Sequence, residues 1–206
     1  MSSETLDLTR LSERYKRFAI EEAQGSSDIY ESFALAIAAS PEILSFIATL
    51  PAERQQPNLF LAAVRHLFGV PTDASCLHDI VRNNQPSLRE LMLARTTQTN
   101  EPARCAVMLP ILASLPQPLA LLEVGASAGL CLLPDRYRYD YGSVSLQPKD
   151  DVGASPPTFS CRISGRVPIP TTLPSVAWRR GLDLSPIDLR STEDVSWLET
   201  LVWPGQ

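Results

Sequence analysis

Histidine is scarce in this sequence, and its cysteines are too far apart to act as pairs. The chain of 206 residues contains two histidines, His66 and His78, and four cysteines that form no Cys-x-x-Cys motif. Neither histidine has a partner at the spacing of metal ligands, so both are expected to be packing residues on helices. The cysteine spacing disfavours a zinc site or a disulfide framework and favours four reduced thiols in a cytoplasmic protein.

A basic patch, a signal peptide and a long apolar run are also missing. The formal net charge is −5, and Arg179-Arg180 is too short to form a surface for nucleic acid or anionic membranes. The N-terminus lacks a basic start and an apolar segment, which predicts that it is not a signal peptide. The longest apolar stretch, residues 105–122, contains three prolines. It is therefore predicted to be a helix, a loop and a strand instead of a membrane span.

The stretch that organises the chain begins at Leu119 and ends at Leu133. An unbroken apolar run meets Glu123, and a turn of small residues follows, Gly125-Ala126-Ser127-Ala128-Gly129. This order predicts a buried strand, a tight turn and a helix. Glycines at such a turn let the backbone approach a ligand, and the N-terminus of the following helix presents free N–H groups and the positive end of its dipole.

Two chemistries use a turn of this shape. The pattern Gly125-x-Ser127-x-Gly129 matches the nucleophile elbow of α/β-hydrolases, in which Ser127 is the nucleophile. It also resembles the first motif of S-adenosylmethionine-dependent methyltransferases, in which Glu123 lies near the amino-acid end of the cofactor. The elbow requires a histidine after its serine, whereas both histidines here precede it, so the pattern favours the cofactor turn. A third interpretation is a structural turn that packs a helix tightly on a strand.

The first hundred or so residues show helical spacing of apolar side chains. Helices are predicted at residues 8–22, 28–37, 41–50, 59–68, 75–85, 87–95 and 101–114. Small polar residues precede several of them, and such residues cap helices through their side-chain oxygens. The predicted caps are Ser27 or Asp28, Ser40, Asn58 and Asn100.

A polar run from Thr96 to Arg104 separates two apolar helices just upstream of the central strand. One interpretation is a loop in which Asn100 caps the next helix. The other is a loop that folds over the mouth of the glycine turn and reaches a polar ligand. The candidate ligand residues are Gln98, Asn100, Glu101 and Arg104.

The remainder of the chain reads as short strands and loops. Residues 136–142 alternate aromatic and polar side chains, which is typical of a half-buried strand. Seven prolines between Pro148 and Pro186 exclude long helices and favour loops with a short edge strand near residues 158–164. A second apolar strand begins at Val176 and ends at Asp183, the position from which an acid binds ribose hydroxyls in dinucleotide and methyltransferase folds. This assignment requires an insertion over about residues 136–175. Asp140 is the alternative acid.

Several motifs together resemble an uncharacterised prokaryotic family, domain of unknown function 2332. They are Thr97-Gln-Thr-Asn-Glu101, Arg104, Leu121-Leu-Glu-Val-Gly-Ala-Ser-Ala-Gly-Leu130, Asp135-Arg-Tyr-Arg-Tyr139, Gly181-Leu-Asp-Leu-Ser-Pro186 and residues 197–206. The resemblance covers nearly the whole chain in register. It implies a helical N-terminal module followed by a methyltransferase-like Rossmann domain. Family members continue beyond the Trp203-Pro-Gly segment, so the resemblance also implies that this chain is truncated at its C-terminus.

The sequence as a whole predicts an α/β protein with a helical module, residues 1–116, and the start of a Rossmann-like parallel sheet, residues 117–206. The predicted function is that of a methyltransferase-like protein that uses S-adenosylmethionine, with an unknown acceptor. The cofactor residues are Glu123, Gly125, Ala126, Ser127, Gly129 and Asp183. No metal, nucleic acid or membrane partner is expected.

Two other functions stay open at this point. One is a non-catalytic interaction module in which the glycine turn is structural. The other is a serine hydrolase that uses Ser127, for which Lys149 would be the only lysine after the turn able to act as a base. A sheet without its later strands would also leave an open edge and apolar faces, so self-association is expected.

Overall fold

The computed structural model of the chain describes residues 3–98, 100–149 and 155–205, with side chains from residue 7 onward. These residues form a mixed α/β architecture with seven α-helices and a small parallel sheet. The chain divides into two compact units, Met1–Gln98 with Thr192–Gln206, and Thr99–Ser191. We call the first the helical unit and the second the α/β unit. The predicted domain boundary at residue 116 stays a prediction, because compactness alone does not define a domain.

The helical unit contains six of the described α-helices. They are α1 (Ser3–Phe18), α2 (Asp28–Ala38), α3 (Pro41–Ala48), α4 (Pro57–Phe68), α5 (Cys76–Ala94) and α7 (Thr192–Thr200). A π-helical turn, Ala19–Ala23, extends α1. Two predicted helices are joined in α5, where Asn84 leaves the helical conformation two residues before Pro86. The helical prediction for the first 95 residues is therefore confirmed.

Two of the predicted caps are confirmed. Ser27 Oγ accepts a hydrogen bond from the backbone N–H of Tyr30 at 3.4 Å, and Ser40 Oγ accepts one from the N–H of Ile43 at 3.2 Å. The prediction that Asn58 caps α4 is wrong, since α4 begins one residue earlier, at Pro57. Proline suits the first position of a helix because its φ is already helical and it has no N–H to satisfy.

The C-terminal segment completes the core of the helical unit. Trp197 on α7 is 1% exposed, and its indole N–H donates to the carbonyl of Thr96 at 3.0 Å. The ring of Trp203 lies 5.5 Å from that of Phe18 and 5.8 Å from that of Tyr30. The aromatic side chains of this segment thus pack on the helices formed by the first 98 residues.

The described residues of the α/β unit form one α-helix and two sheets. The helix is α6 (Arg104–Ser114), and the strands are β1 (Leu119–Val124), β2 (Arg138–Asp140), β3 (Ser145–Leu146), β4 (Thr158–Ser160) and β5 (Val176–Leu182). β1 pairs with β5 in parallel, and the other three strands form a sheet in the order β3-β2-β4. The predicted positions of β1, β2, β4 and β5 are confirmed. Among the described residues, no strand precedes β1 in the chain.

Three tyrosines on and beside β2 hold the α/β unit together. Tyr137, Tyr139 and Tyr141 are buried against α6 together with Leu109. Each hydroxyl donates to a backbone carbonyl, at distances of 2.6 to 2.7 Å. A buried tyrosine hydroxyl usually has such a partner. The alternation of tyrosine with polar residues in residues 136–142 therefore marks the side of β2 that faces the core.

Two expectations about the central stretch are wrong. No α-helix follows the glycine turn; only a 3-10 turn forms there, Leu130–Leu132, because Gly129 adopts a left-handed conformation and Pro134 leaves no room for a longer helix. β1 is also not a buried strand, since Leu122 is 59% exposed and Val124 is 80% exposed. The Rossmann-like identity of the sheet stays a prediction.

Within the described residues, no single helix combines the length and apolar character needed to cross a membrane. The consecutive helices α2 and α3 reach that length and composition only as a pair bent by 88°.

Candidate functional site

Two parallel strands end side by side at the glycine turn. Val124 is the last residue of β1 and pairs with Leu182, the last residue of β5. The backbone N–H groups of Gly125 and Ala126 both donate to the carbonyl of Leu182, at 2.8 and 3.2 Å. Ligands of open α/β sheets bind beyond the carboxyl ends of adjacent strands, so this geometry places the turn where such a site would lie.

Three residues of the turn have positive φ. They are Gly125 at 78°, Ser127 at 49° and Gly129 at 72°. Glycine adopts this conformation without penalty, whereas a residue with a Cβ loses about 1–2 kcal/mol. Ser127 is the only non-glycine residue with positive φ in the described part of the chain. A strained backbone conformation persists only where neighbouring residues hold it in place. Two neighbours of Ser127, Asp183 and Asn100, hold its backbone.

Asp183 is the first residue that holds the backbone of Ser127 in its strained conformation. Its Oδ2 accepts the backbone N–H of Ser127 at 2.7 Å, and its Oδ1 accepts the N–H of Ser185 at 2.8 Å. These backbone hydrogen bonds hold the pKa of the Asp183 carboxyl below its usual range. The structure thus brings Asp183 to the turn, and its binding of ribose stays a prediction. Asp140, the alternative acid, lies in the three-stranded sheet and accepts the N–H of Gly142.

Asn100 is the second residue that fixes the turn. Its Oδ1 accepts the backbone N–H of Ala128 at 3.1 Å, and its Nδ2 donates to Ser127 Oγ. The prediction that Asn100 caps a helix beginning at residue 101 is wrong, because α6 begins at Arg104 and Ala103 occupies the cap position without a side-chain bond. The side-chain amide joins the glycine turn instead of capping the helix.

The other residues of the candidate ligand loop lie in different surroundings. Glu101 Oε1 accepts the backbone N–H of Ala103 at 3.0 Å, which closes a local turn. Arg104 is exposed at the start of α6 and lies near enough to Glu123 to favour its charged form. Gln98 is the last residue of the first segment of the helical unit. The structure therefore brings Asn100, Glu101 and Arg104, but not Gln98, into the unit that contains the turn.

Glu123 is an unsatisfied carboxylate next to the turn. It is half-buried on β1, and its Oε2 is buried without a hydrogen-bond partner among the described residues. Burial raises the pKa of this carboxyl, and the positive charge of Arg104 opposes the shift. A buried carboxylate oxygen without a partner is costly. A ligand that supplied a cation or an N–H donor there would remove that cost.

Sequence reasoning missed two contacts that position the turn. A Cβ on Gly181 would lie 2.6 Å from the Cβ of Ala126, so β5 and the turn touch at a point that admits only glycine. Arg179 forms a bidentate ion pair with Asp135 at 2.9 Å and donates to the carbonyl of Leu132 at 3.0 Å. A glycine inside a strand often marks a point where another backbone or a ligand approaches closely. The sequence alone did not identify Ala126, 55 residues earlier, as the group that approaches Gly181.

A family model agrees with this arrangement of motifs. It matches residues 12–76 and 69–206 and is described as an uncharacterized protein conserved in bacteria, DUF2332. The chain belongs to the DUF2332 family. The family resemblance predicted from separate motifs is thereby confirmed. No curated protein and no solved structure matches this DUF2332 chain.

The histidines of the DUF2332 chain lie in the helical unit. The Nδ1 atom of His66 is 3.2 Å from Thr200 Oγ1, and the ring of His66 packs edge-on against Trp197. His78 lies beside Ser40 and Glu42. Among the described residues, no three side chains of histidine, cysteine, aspartate or glutamate are grouped so as to hold a metal ion.

Proposed function

We propose that the glycine turn of this DUF2332 protein binds S-adenosylmethionine and that the protein is a methyltransferase-like protein. The observation that carries the proposal is the meeting of two parallel strand ends, one followed by the glycine turn and the other by Asp183. In nucleotide-binding sheets an acid at this position binds ribose hydroxyls. Each carboxylate oxygen of Asp183 accepts one backbone N–H and has a further lone pair that could accept a ribose hydroxyl. Asp183 would therefore bind the ribose and hold the turn at the same time.

Glu123 supports the same ligand. S-adenosylmethionine carries an ammonium group at its amino-acid end, and the orphaned Oε2 of Glu123 is an acceptor that lacks a donor among the described residues. The exposed Gly125 leaves room above the backbone, since a Cβ there would meet nothing within 4 Å. Methyl transfer itself needs little covalent help from a protein, because holding the sulfonium in line with the acceptor supplies much of the rate increase.

An interaction module is the second candidate, and the exposed apolar strands favour it. Leu122, Val124 and Leu182 are more than half exposed at the end of the parallel sheet. Parallel strands are usually buried on both faces. Self-association therefore stays a prediction, and it would appear as concentration-dependent sedimentation that Val124→Ser reduces.

The hydrolase alternative has less support. Ser127 has the strained backbone expected of a nucleophile elbow. However, its hydroxyl accepts a hydrogen bond from the Asn100 amide, which cannot act as a base, and both histidines belong to the other unit. A fluorophosphonate is expected not to label the chain.

Calorimetric titration of S-adenosylmethionine tests the proposal. Gly125→Val should abolish binding, because valine at a φ of 78° would displace the turn. The matched control is Gly165→Val, which has a φ of 79° and equally open surroundings but lies far along the chain from the turn. Equal binding by the wild type and Gly125→Val would remove this turn from the site, and no binding by the wild type would contradict the proposed function.

A further inference from the structure

The helical unit has a groove along α1 that the proposed function does not use. Its volume is about 830 Å³, within the range of small-molecule sites. One wall is the face of α1 that carries Arg10, Arg14 and Arg17, and Gln55 stands on the other side. Leu11 lines it but is buried, so exposed Ile20 supplies its apolar surface. The groove thus combines positive charge with apolar surface.

Two of the cations in this groove are already neutralised. Four cations and two carboxylates line it. Lys16 Nζ lies 2.8 Å from Glu13 Oε1, and Arg17 Nε lies 3.8 Å from Glu21 Oε2. Among the described residues, Arg10 and Arg14 have neither an ion-pair nor a hydrogen-bond partner. Within the described part of the groove, two positive charges therefore have no paired carboxylate.

The two unpaired arginines are placed to act on one ligand. They are four residues apart on α1, so their side chains leave the same face of the helix about 5–6 Å apart at Cβ. Like charges at this spacing destabilise an isolated helix, and Arg14 is half-buried. Both penalties disappear when an anion bridges the guanidinium groups. The two guanidinium groups together carry a charge of +2, and a phosphate monoester carries about −1.5 to −2 at neutral pH.

We propose that the groove along α1 binds a small molecule that carries a phosphate monoester on an apolar group. The phosphate accepts forked hydrogen bonds from Arg10 and Arg14, which are the geometry that guanidinium groups offer to phosphate oxygens. The apolar group lies against the exposed side chain of Ile20. The chain as a whole is acidic, with a formal charge of −5, so the net charge of the chain does not favour general anion binding.

Phenyl phosphate is the probe, because it joins a dianionic monoester to an apolar ring. Calorimetry at low ionic strength should show saturable binding with a dissociation constant of about 1 mM or lower, as expected for a ligand of this size. Arg10→Gln and Arg14→Gln should each weaken binding about tenfold, the usual loss when a charge-assisted hydrogen bond is removed. Arg14→Lys, which keeps the charge but loses the fork, should fall between them and the wild type.

Arg82→Gln is the matched control. Arg82 lies in the same unit, is exposed and pairs with Glu42, so its loss removes one positive charge outside the groove. Equal weakening by Arg82→Gln and Arg14→Gln would overturn the proposal, as would non-saturable binding to the wild type. Methyl phenyl phosphate, a monoanion, should bind about tenfold more weakly; equal affinity would contradict a dianion site. Binding of phosphatidylserine vesicles that requires both arginines would assign the groove to a membrane surface and also overturn it.

Discussion

Large apolar side chains are buried in the helical unit and exposed on the parallel sheet of the α/β unit. Ile37, Ile47 and Leu88 are 0% exposed, whereas Val124 is 80% and Leu182 is 58% exposed. The helical unit buries a core of apolar side chains among its own residues, including those of the last segment of the chain, although Ile20 is 61% exposed. The α/β unit leaves apolar surface, one strained serine and one orphaned carboxylate oxygen at the end of two strands. A strained residue beside exposed apolar surface is expected where a protein binds something. Buried polar atoms without partners occur in both units, and the Tyr15 hydroxyl is one in the helical unit.

The largest expected effect comes from replacing a tryptophan in each unit. Trp197→Ala should lower the free energy of unfolding by about 3–5 kcal/mol, because it removes a buried ring and its hydrogen bond to Thr96. Trp178→Ala, on β5, should cost less than about 1 kcal/mol, because Trp178 is 47% exposed. Denaturant unfolding of both variants measures the difference. Equal losses of unfolding free energy in the two variants would contradict the difference in burial between the two units.

A smaller effect is expected at the contact between β5 and the turn. Gly181→Ala should destabilise the chain by about 1–3 kcal/mol, because its methyl group would lie 2.6 Å from the Cβ of Ala126. The double variant Gly181→Ala with Ala126→Gly removes the second methyl group and should recover part of the loss. Thermal unfolding of the three variants checks both statements. No recovery in the double variant would show that the contact is not the cause.

Two tyrosine hydroxyls compare how each unit treats a buried polar group. Tyr15, in the helical unit, is 0% exposed and its hydroxyl has no partner among the described residues. Tyr15→Phe should therefore be neutral or stabilising by up to about 1 kcal/mol. Tyr141 donates to the carbonyl of Ala106 at 2.6 Å, so Tyr141→Phe should destabilise by about 1 kcal/mol. Denaturant unfolding that showed a loss for Tyr15→Phe would place an undetected partner at that hydroxyl.

The smallest expected effect is a pH dependence due to Glu123. Burial raises the pKa of its carboxyl in the folded state, so the folded chain holds this proton to higher pH than the unfolded chain does. Stability should therefore fall as the pH rises from the usual glutamate range through the raised pKa. Glu123→Gln should lose this dependence and gain stability relative to the wild type above that range. Urea unfolding from pH 4 to 8 measures the difference, and parallel curves would contradict it.

Residues close together in the sequence were sufficient to predict the helices and strands. The geometry of the candidate site depends on contacts between residues far apart in the sequence. Ser27 and Ser40 cap their helices with bonds that span three residues, so the sequence around them was sufficient. Asn100 could not be assigned in this way, because its choice between a helix end and the glycine turn depends on residues 27 and 28 positions away. The strand that ends at Asp183 was predicted by analogy with the second strand of dinucleotide-binding folds, and the ribose-binding role of Asp183 stays a prediction.

The errors have similar causes. The helix expected after Gly129 does not form, because Pro134 and the ion pair between Arg179 and Asp135 hold this segment as a 3-10 turn against β5. Exposure of β1 could not be predicted from its own residues, since burial of an apolar strand depends on which elements pack on it. The contact of Gly181 with Ala126 likewise depends on the register of two strands.

Hydrogen exchange with and without S-adenosylmethionine tests most directly whether the unsatisfied strand ends form the binding site. Mass spectrometry of the wild-type chain should show slower exchange of the backbone amides at residues 123–130 and 181–186 when the cofactor is added. Peptides from α2, α3 and α4 should exchange at unchanged rates. Protection confined to the helical unit, or no protection in either unit, would contradict the account.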